Sequence, residues 1–136
     1  MEHKVVSKGV LGLIAILLLC AACAPLAFFG AGTAAGVGGY KYIKGALVVL
    51  YEAPYIQTWD ASLRALEEMG LKIEKAEHDL TTGEIKARRA DGKQVILSFE
   101  YKSVRTTQVK IRVGIFGDED ASMVIKEKIR DVLVRS

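Results

Sequence analysis

Cysteine, histidine and proline are scarce in this sequence, and the first two scarcities each remove a class of chemistry. The two cysteines, Cys20 and Cys23, both lie close to the N-terminus. Nothing beyond Cys23 can supply a disulfide, a thiolate zinc cluster or a cysteine nucleophile. The histidines are His3 and His78. Protein metal sites need several donors together, and a lone His78 beside an expected turn does not provide them. It also has no local partners for a Ser-His-Asp arrangement, so it reads as a solvated turn residue. An excess of one charge is missing too: 19 basic residues face 16 acidic ones, a net charge of +3. That balance argues against a nucleic-acid partner, which favours a concentrated basic face. No catalytic residue, metal or cofactor is expected.

The most informative absence is local. Between Lys8 and Lys41 there is no charged residue, whereas charges are dense and mixed beyond Lys41. Lys4 and Lys8 precede an apolar run from Val10 to Leu19, the length expected for the core of an export signal. Cys20-Ala21-Ala22-Cys23 follows, and it resembles the lipobox of bacterial lipoproteins. Ala21 and Ala22 fit the two small positions before an acylated Cys23, while Cys20 stands where an aliphatic residue is usual. The expectation is a signal peptide over 1–22, lipid on Cys23 and a chain anchored to a membrane of the bacterial cell envelope. Ala24 follows the cysteine where aspartate often signals inner-membrane retention in enteric bacteria. The outer membrane, facing the periplasm, is therefore expected, with the inner membrane as the alternative. A second reading is an uncleaved single-pass helix, because the run from Gly9 to about Gly39 exceeds the roughly 20 residues that span a bilayer.

Residues 23–44 read as a glycine- and alanine-rich collar. Gly30-x-Gly32-x-x-Ala35 formally matches a dinucleotide fingerprint, but that motif needs a strand before it and a helix after it. Two readings of the collar remain. It is a passive spacer, or it associates within the membrane through Phe28, Phe29 and the small residues Gly32 and Gly36, whose spacing allows close helix approach in lipid. Tyr40-Lys41-Tyr42 then suits the headgroup level.

From Gly45 the pattern becomes globular. Ala46–Tyr51 is β-rich, and Pro54 suits the first turn of a helix whose Ile56, Trp59, Leu63 and Leu66 share a face. Trp59 reads as core, with ligand stacking as the alternative. Gly70 ends that helix. Strands follow over Leu71–Ala76 and Glu84–Ala90, with Thr82-Gly83 as a turn and Asp91-Gly92 as a hairpin signal. Val95, Leu97, Phe99 and Tyr101 alternate, as do Val109, Ile111 and Val113. A second helix starts at Asp118-Glu119-Asp120, where carboxylates offset the helix dipole, and it buries Ala121, Ile125, Ile129 and Val132 with Val124 and Leu133 alongside. The expected fold of residues 45–136 is α+β: about five antiparallel strands in the order β-α-β-β-β-β-α, with both helices on one face.

The small-residue cysteine site, the collar, Tyr40-Lys41-Tyr42-Ile43-Lys44-Gly45, the segment Trp59-Asp60-Ala61-x-Leu63-x-Ala65-Leu66, and Arg112-Val113-Gly114-x-Phe116-Gly117-Asp118-Glu119 occur in an order that resembles a family of short bacterial lipoproteins of unknown function. The resemblance spans nearly the whole chain. It implies envelope location and fold, and it supplies no catalytic residues.

Lys86, Arg88, Lys110 and Arg112 alternate with apolar residues and should occupy the exposed sheet face, as candidates for contact with anionic lipid. Glu74 and Glu100 interleave there, so a solvated face of mixed charge is the alternative. The functional expectation is an envelope lipoprotein acting as a structural or interaction module with a protein partner. The alternatives are a periplasmic domain binding lipid or a small ligand between helices and sheet, and the single-pass protein above.

Overall fold

The computed structural model describes residues 36–136. The expected signal segment over 1–22, Cys23, Phe28, Phe29 and Gly32 lie outside the described residues.

Eight elements follow in order: β1 (Val37–Ile43), β2 (Ala46–Tyr51), α1 (Tyr55–Glu68), β3 (Lys72–His78), β4 (Thr82–Arg88), β5 (Gln94–Ser103), β6 (Thr106–Val113) and α2 (Glu119–Arg135). The strands form one sheet in the order β1-β2-β6-β5-β4-β3, with every pair antiparallel. After β2 the chain crosses through α1 to the far edge, then returns strand by strand until β6 closes against β2. The class is α+β as expected. The strand count is six, because β1 occupies what reads in sequence as the end of the collar. Its register, Tyr40 opposite Val49 and Tyr42 opposite Leu47, builds the tyrosines into the folded domain.

Strand periodicity sets the two faces of the sheet. Leu47, Val49, Tyr51, Ile85, Ala87, Val95, Leu97, Phe99, Val109, Ile111 and Val113 are buried beneath the helices. The helices meet that face through the Trp59–Phe99 ring contact, with centroids 4.9 Å apart, and through the Tyr51 hydroxyl, which donates to the Lys126 carbonyl at 3.0 Å. Burial holds the Tyr51 phenol well above its ordinary pKa, with the nearby Glu127 charge adding to the effect.

Most helix positions expected from apolar spacing are buried, Trp59, Leu66, Ile125, Ile129, Val132 and Leu133 among them, but polar residues join them and two apolar positions face water. On α1, Ile56 is exposed, while Tyr55, Thr58, Trp59, Ala61, Ser62, Ala65 and Leu66 are buried. Two of the buried hydroxyls are satisfied within the helix, Thr58 donating to Pro54 O at 2.9 Å and Ser62 to Thr58 O at 2.7 Å, whereas the buried Tyr55 hydroxyl has no partner among the described residues. On α2, Val124 is exposed, and Lys126 is buried beside Ile125 and Ile129. Asp118 caps this helix, accepting from Ala121 N at 3.0 Å.

The hairpin at Asp91-Gly92 forms by a different route from two adjacent positive-φ residues. Gly92 N donates to Arg89 O at 3.0 Å, closing a turn over Ala90 and Asp91, and only Gly92 adopts positive φ (+87°). Gly92 is then the left-handed residue that completes a bulged hairpin. The two-residue turn with both φ values positive is Lys44-Gly45, at 51° and 80°.

Candidate functional site

The face of the sheet opposite the helices is open, and the outward residues of each strand line it. Cross-strand neighbours here lie close enough to pair, so the register decides which charges are neutralised. Lys86 and Arg88 do face outward, as alternation predicts, but each meets an acid. Lys86 Nζ lies 3.7 Å from Glu84, and Arg88 Nε lies 3.1 Å from Glu74. Lys75 is 3.6 Å from Glu77 and 3.7 Å from Glu84, and Lys102 is 3.0 Å from Glu100. The β3–β4 half of the face is therefore a solvated lattice of mixed charge.

The β6–β2–β1 half differs. Lys110 stands between Ser98 and Val48, Arg112 opposite Ile96, and Lys41 opposite Val48. Lys44 follows on the β1–β2 turn. None of these four cations has an ion-pair partner among the described residues. They line a shallow groove of about 390 Å³ whose floor includes Ile43, Ala46 and Val48. The four basic residues singled out in sequence thus divide. Lys86 and Arg88 are paired, while Lys110 and Arg112 are unpaired and joined by Lys41 and Lys44.

At the same end, the loop after β6 carries Ile115 and Phe116, which are 83% and 91% exposed. Backbone contacts hold this loop. Arg112 Nη2 donates to Ile115 O at 2.8 Å, and Gly114 N donates to Gln94 O at 2.8 Å. Gly117 and Gly45 approach so closely that a Cβ on Gly117 would sit 2.6 Å from Gly45 Cα and 2.6 Å from the Tyr42 hydroxyl. Both glycines also have positive φ, so the contact requires glycine on each side. Alternation could find Lys110 and Arg112. The exposed Ile115–Phe116 tip carries no periodic signal, and its setting depends on the β1–β2 turn.

Gly36 lies in a turn at φ +87°, and its carbonyl accepts from Glu52 N at 2.9 Å. A right-handed helix does not continue through it, and Gly39 is a residue of β1.

Trp59 is 5% exposed and belongs to the core. His78 is exposed but is not free of contacts: its ring lies 4.6 Å from that of Trp59, and Nδ1 is 2.9 Å from Asp79 O. Asp79 orders the β3–β4 turn by accepting from Thr81 N and Thr82 N, both at 2.8 Å, and those bonds lower its pKa. For a small ligand, the ends of α1 and α2 and the β4–β5 hairpin form a groove of about 410 Å³ lined by Met69, Leu71, Ala121 and Val124 among others. No group of metal-ligating side chains occurs among the described residues, and no helix among them is long and apolar enough to cross a membrane.

No curated protein matches the chain. A family profile matches residues 8–132, from Lys8 through most of α2. The chain therefore belongs to the family described as "Protein of unknown function (DUF3568)".

Proposed function

We propose that this protein is a bacterial envelope lipoprotein, held at the membrane by lipid on Cys23, whose α+β domain serves as a structural or interaction module at the membrane surface. One observation carries the reading: the arrangement Lys4, Lys8, the apolar run to Leu19, then Ala21-Ala22-Cys23. This is the order of basic flank, apolar core and small-residue site that an export signal requires. The fold is compatible with it. Among the described residues the buried core runs from Val37 to Leu133, C-terminal to the proposed lipid site. The outer membrane, facing the periplasm, is the proposed location, on the strength of Ala24.

Metabolic labelling with a fatty acid, followed by fractionation of the envelope, tests the reading. Wild type should carry the label and lack residues 1–22, and Cys23→Ser should lose the label and retain them. An unlabelled wild type that keeps its leader would replace this reading with a single-pass membrane protein.

A further inference from the structure

We propose that the end of the sheet formed by the Lys44-Gly45 turn and the Ile115–Phe116 loop is a second membrane contact, one that seats on anionic lipid headgroups. The two apolar side chains at the tip are held in water by backbone contacts, at 83% and 91% exposure. Large apolar groups displayed in this way mark a surface that meets something. Beside them stand the four unpaired cations Lys41, Lys44, Lys110 and Arg112, with the half-exposed Ile43 between them. Apolar residues that enter the acyl boundary, flanked by lysine and arginine at phosphate level, are the chemistry of an anionic bilayer surface.

The acids near this end are engaged elsewhere: Asp91, which shares a groove with Arg112, Ile115 and Phe116, pairs with Arg89 at 3.3 Å and accepts from Lys93 N at 3.1 Å. Asp118 caps α2 and lies 3.9 Å from Lys93, while Glu119 and Asp120 begin that helix in the layer on the opposite side of the sheet. Lys44 adds a second argument. It sits at φ 51° in a turn whose geometry suits Asn-Gly, so a lysine here strains the backbone in exchange for a charge at the tip. The contact is independent of Cys23 acylation, since it uses only residues of the folded domain.

The full chain, reconstituted into vesicles, provides the test. The unprocessed form is used, because its uncharged stretch from Gly9 to Tyr40 exceeds the roughly 20 residues that span a bilayer and tethering then does not depend on Cys23 acylation. Phe116→Trp places an indole at the tip, and the buried Trp59 gives a constant background. In vesicles of phosphatidylcholine and phosphatidylglycerol with brominated acyl chains, emission from position 116 should be quenched and shifted to the blue. In phosphatidylcholine alone, or at molar salt, both effects should be lost, because screening shortens the reach of exposed charges to a few ångströms. Adding Lys41→Glu, Lys44→Glu and Lys110→Glu should abolish the quenching. Arg112 is kept because it braces the loop. Lys44→Asn should weaken the quenching while raising the melting temperature, which separates lost contact from lost fold. Equal quenching in neutral and anionic vesicles would overturn the proposal. So would the absence of quenching in both, which would leave an acidic protein surface as the occupant.

Discussion

The ammonium of Lys126 lies beneath the ring of Tyr40, 3.8 Å from its centroid, and is closed on another side by Glu127 at 3.1 Å. Lys126 is only 2% exposed, so Tyr40 is what separates a buried cation from water. The contact fastens the first strand to the last helix. Tyr40→Ala should destabilise the domain by about 1–2 kcal/mol, the sum of a partly desolvated cation–π contact and lost apolar cover. Tyr40→Phe keeps the ring face and should stay within about 0.5 kcal/mol of wild type. Urea melts of both variants decide this, and an alanine variant as stable as wild type would show that the ring contributes nothing.

Gly83 in β4 is where the aromatic cluster comes down on the sheet. A Cβ there would meet His78 Cβ at 2.7 Å, the Tyr55 hydroxyl at 2.8 Å and the Trp59 ring at 2.9 Å. Gly83→Ala should therefore destabilise by about 1–3 kcal/mol through overpacking, although its φ is ordinary. Trp59→Ala opens the same place from the other side and should cost about 3–5 kcal/mol. A Gly83→Ala variant with an unchanged thermal midpoint would mean that the rings move aside freely.

Glu68 joins the two helices by accepting from Arg135 at 2.8 Å and pairing with Lys128 at 2.9 Å. Hydrogen bonds from Arg135 first and Lys128 second lower its pKa from 4.5 to about 2. A lowered carboxylate pKa stabilises the fold above the unfolded value, near 4.5, and that contribution disappears as pH falls toward 2. Because the group is exposed, the effect should be small. Glu68→Gln should be slightly less stable than wild type at neutral pH, with the gap closing in acid. Carboxyl titration by NMR checks the premise, and a midpoint near the ordinary glutamate value would refute it.

What the sequence made legible followed from regular alternation. β6 alternates polar and apolar positions from Gln108 to Val113, and β5 does so apart from Ile96, and the outward placement of Lys110 and Arg112 followed from that. β1 was not legible because Val-Gly-Gly-Tyr-Lys-Tyr-Ile has two glycines and a bulge between Val37 and Gly39, and only its partner β2 makes it a strand. The α1 interface was misjudged at Ile56 because the helix approaches the sheet through Ala61, Ala65, Thr58 and Ser62. Hydroxyls that bond back to their own helix can be buried cheaply, and a hydrophobic pattern does not count them. The division of the basic face was hidden for a similar reason. Whether a lysine meets a glutamate or a valine depends on register between strands, which no single strand reveals.

The pairing of β2 with β6, Leu47 opposite Ile111, has a consequence for the order of events during synthesis. The hairpin β1–β2 emerges first, yet a two-stranded hairpin is marginal in water by itself. Its second partner is the last strand made, so the closing contact spans most of the domain, and such non-local pairings form late and slowly. A nascent chain of this topology stays open until residues 106–113 are available. Under the export proposed above, in which the chain would cross a membrane as an extended thread, that delay would keep the sheet from closing before passage.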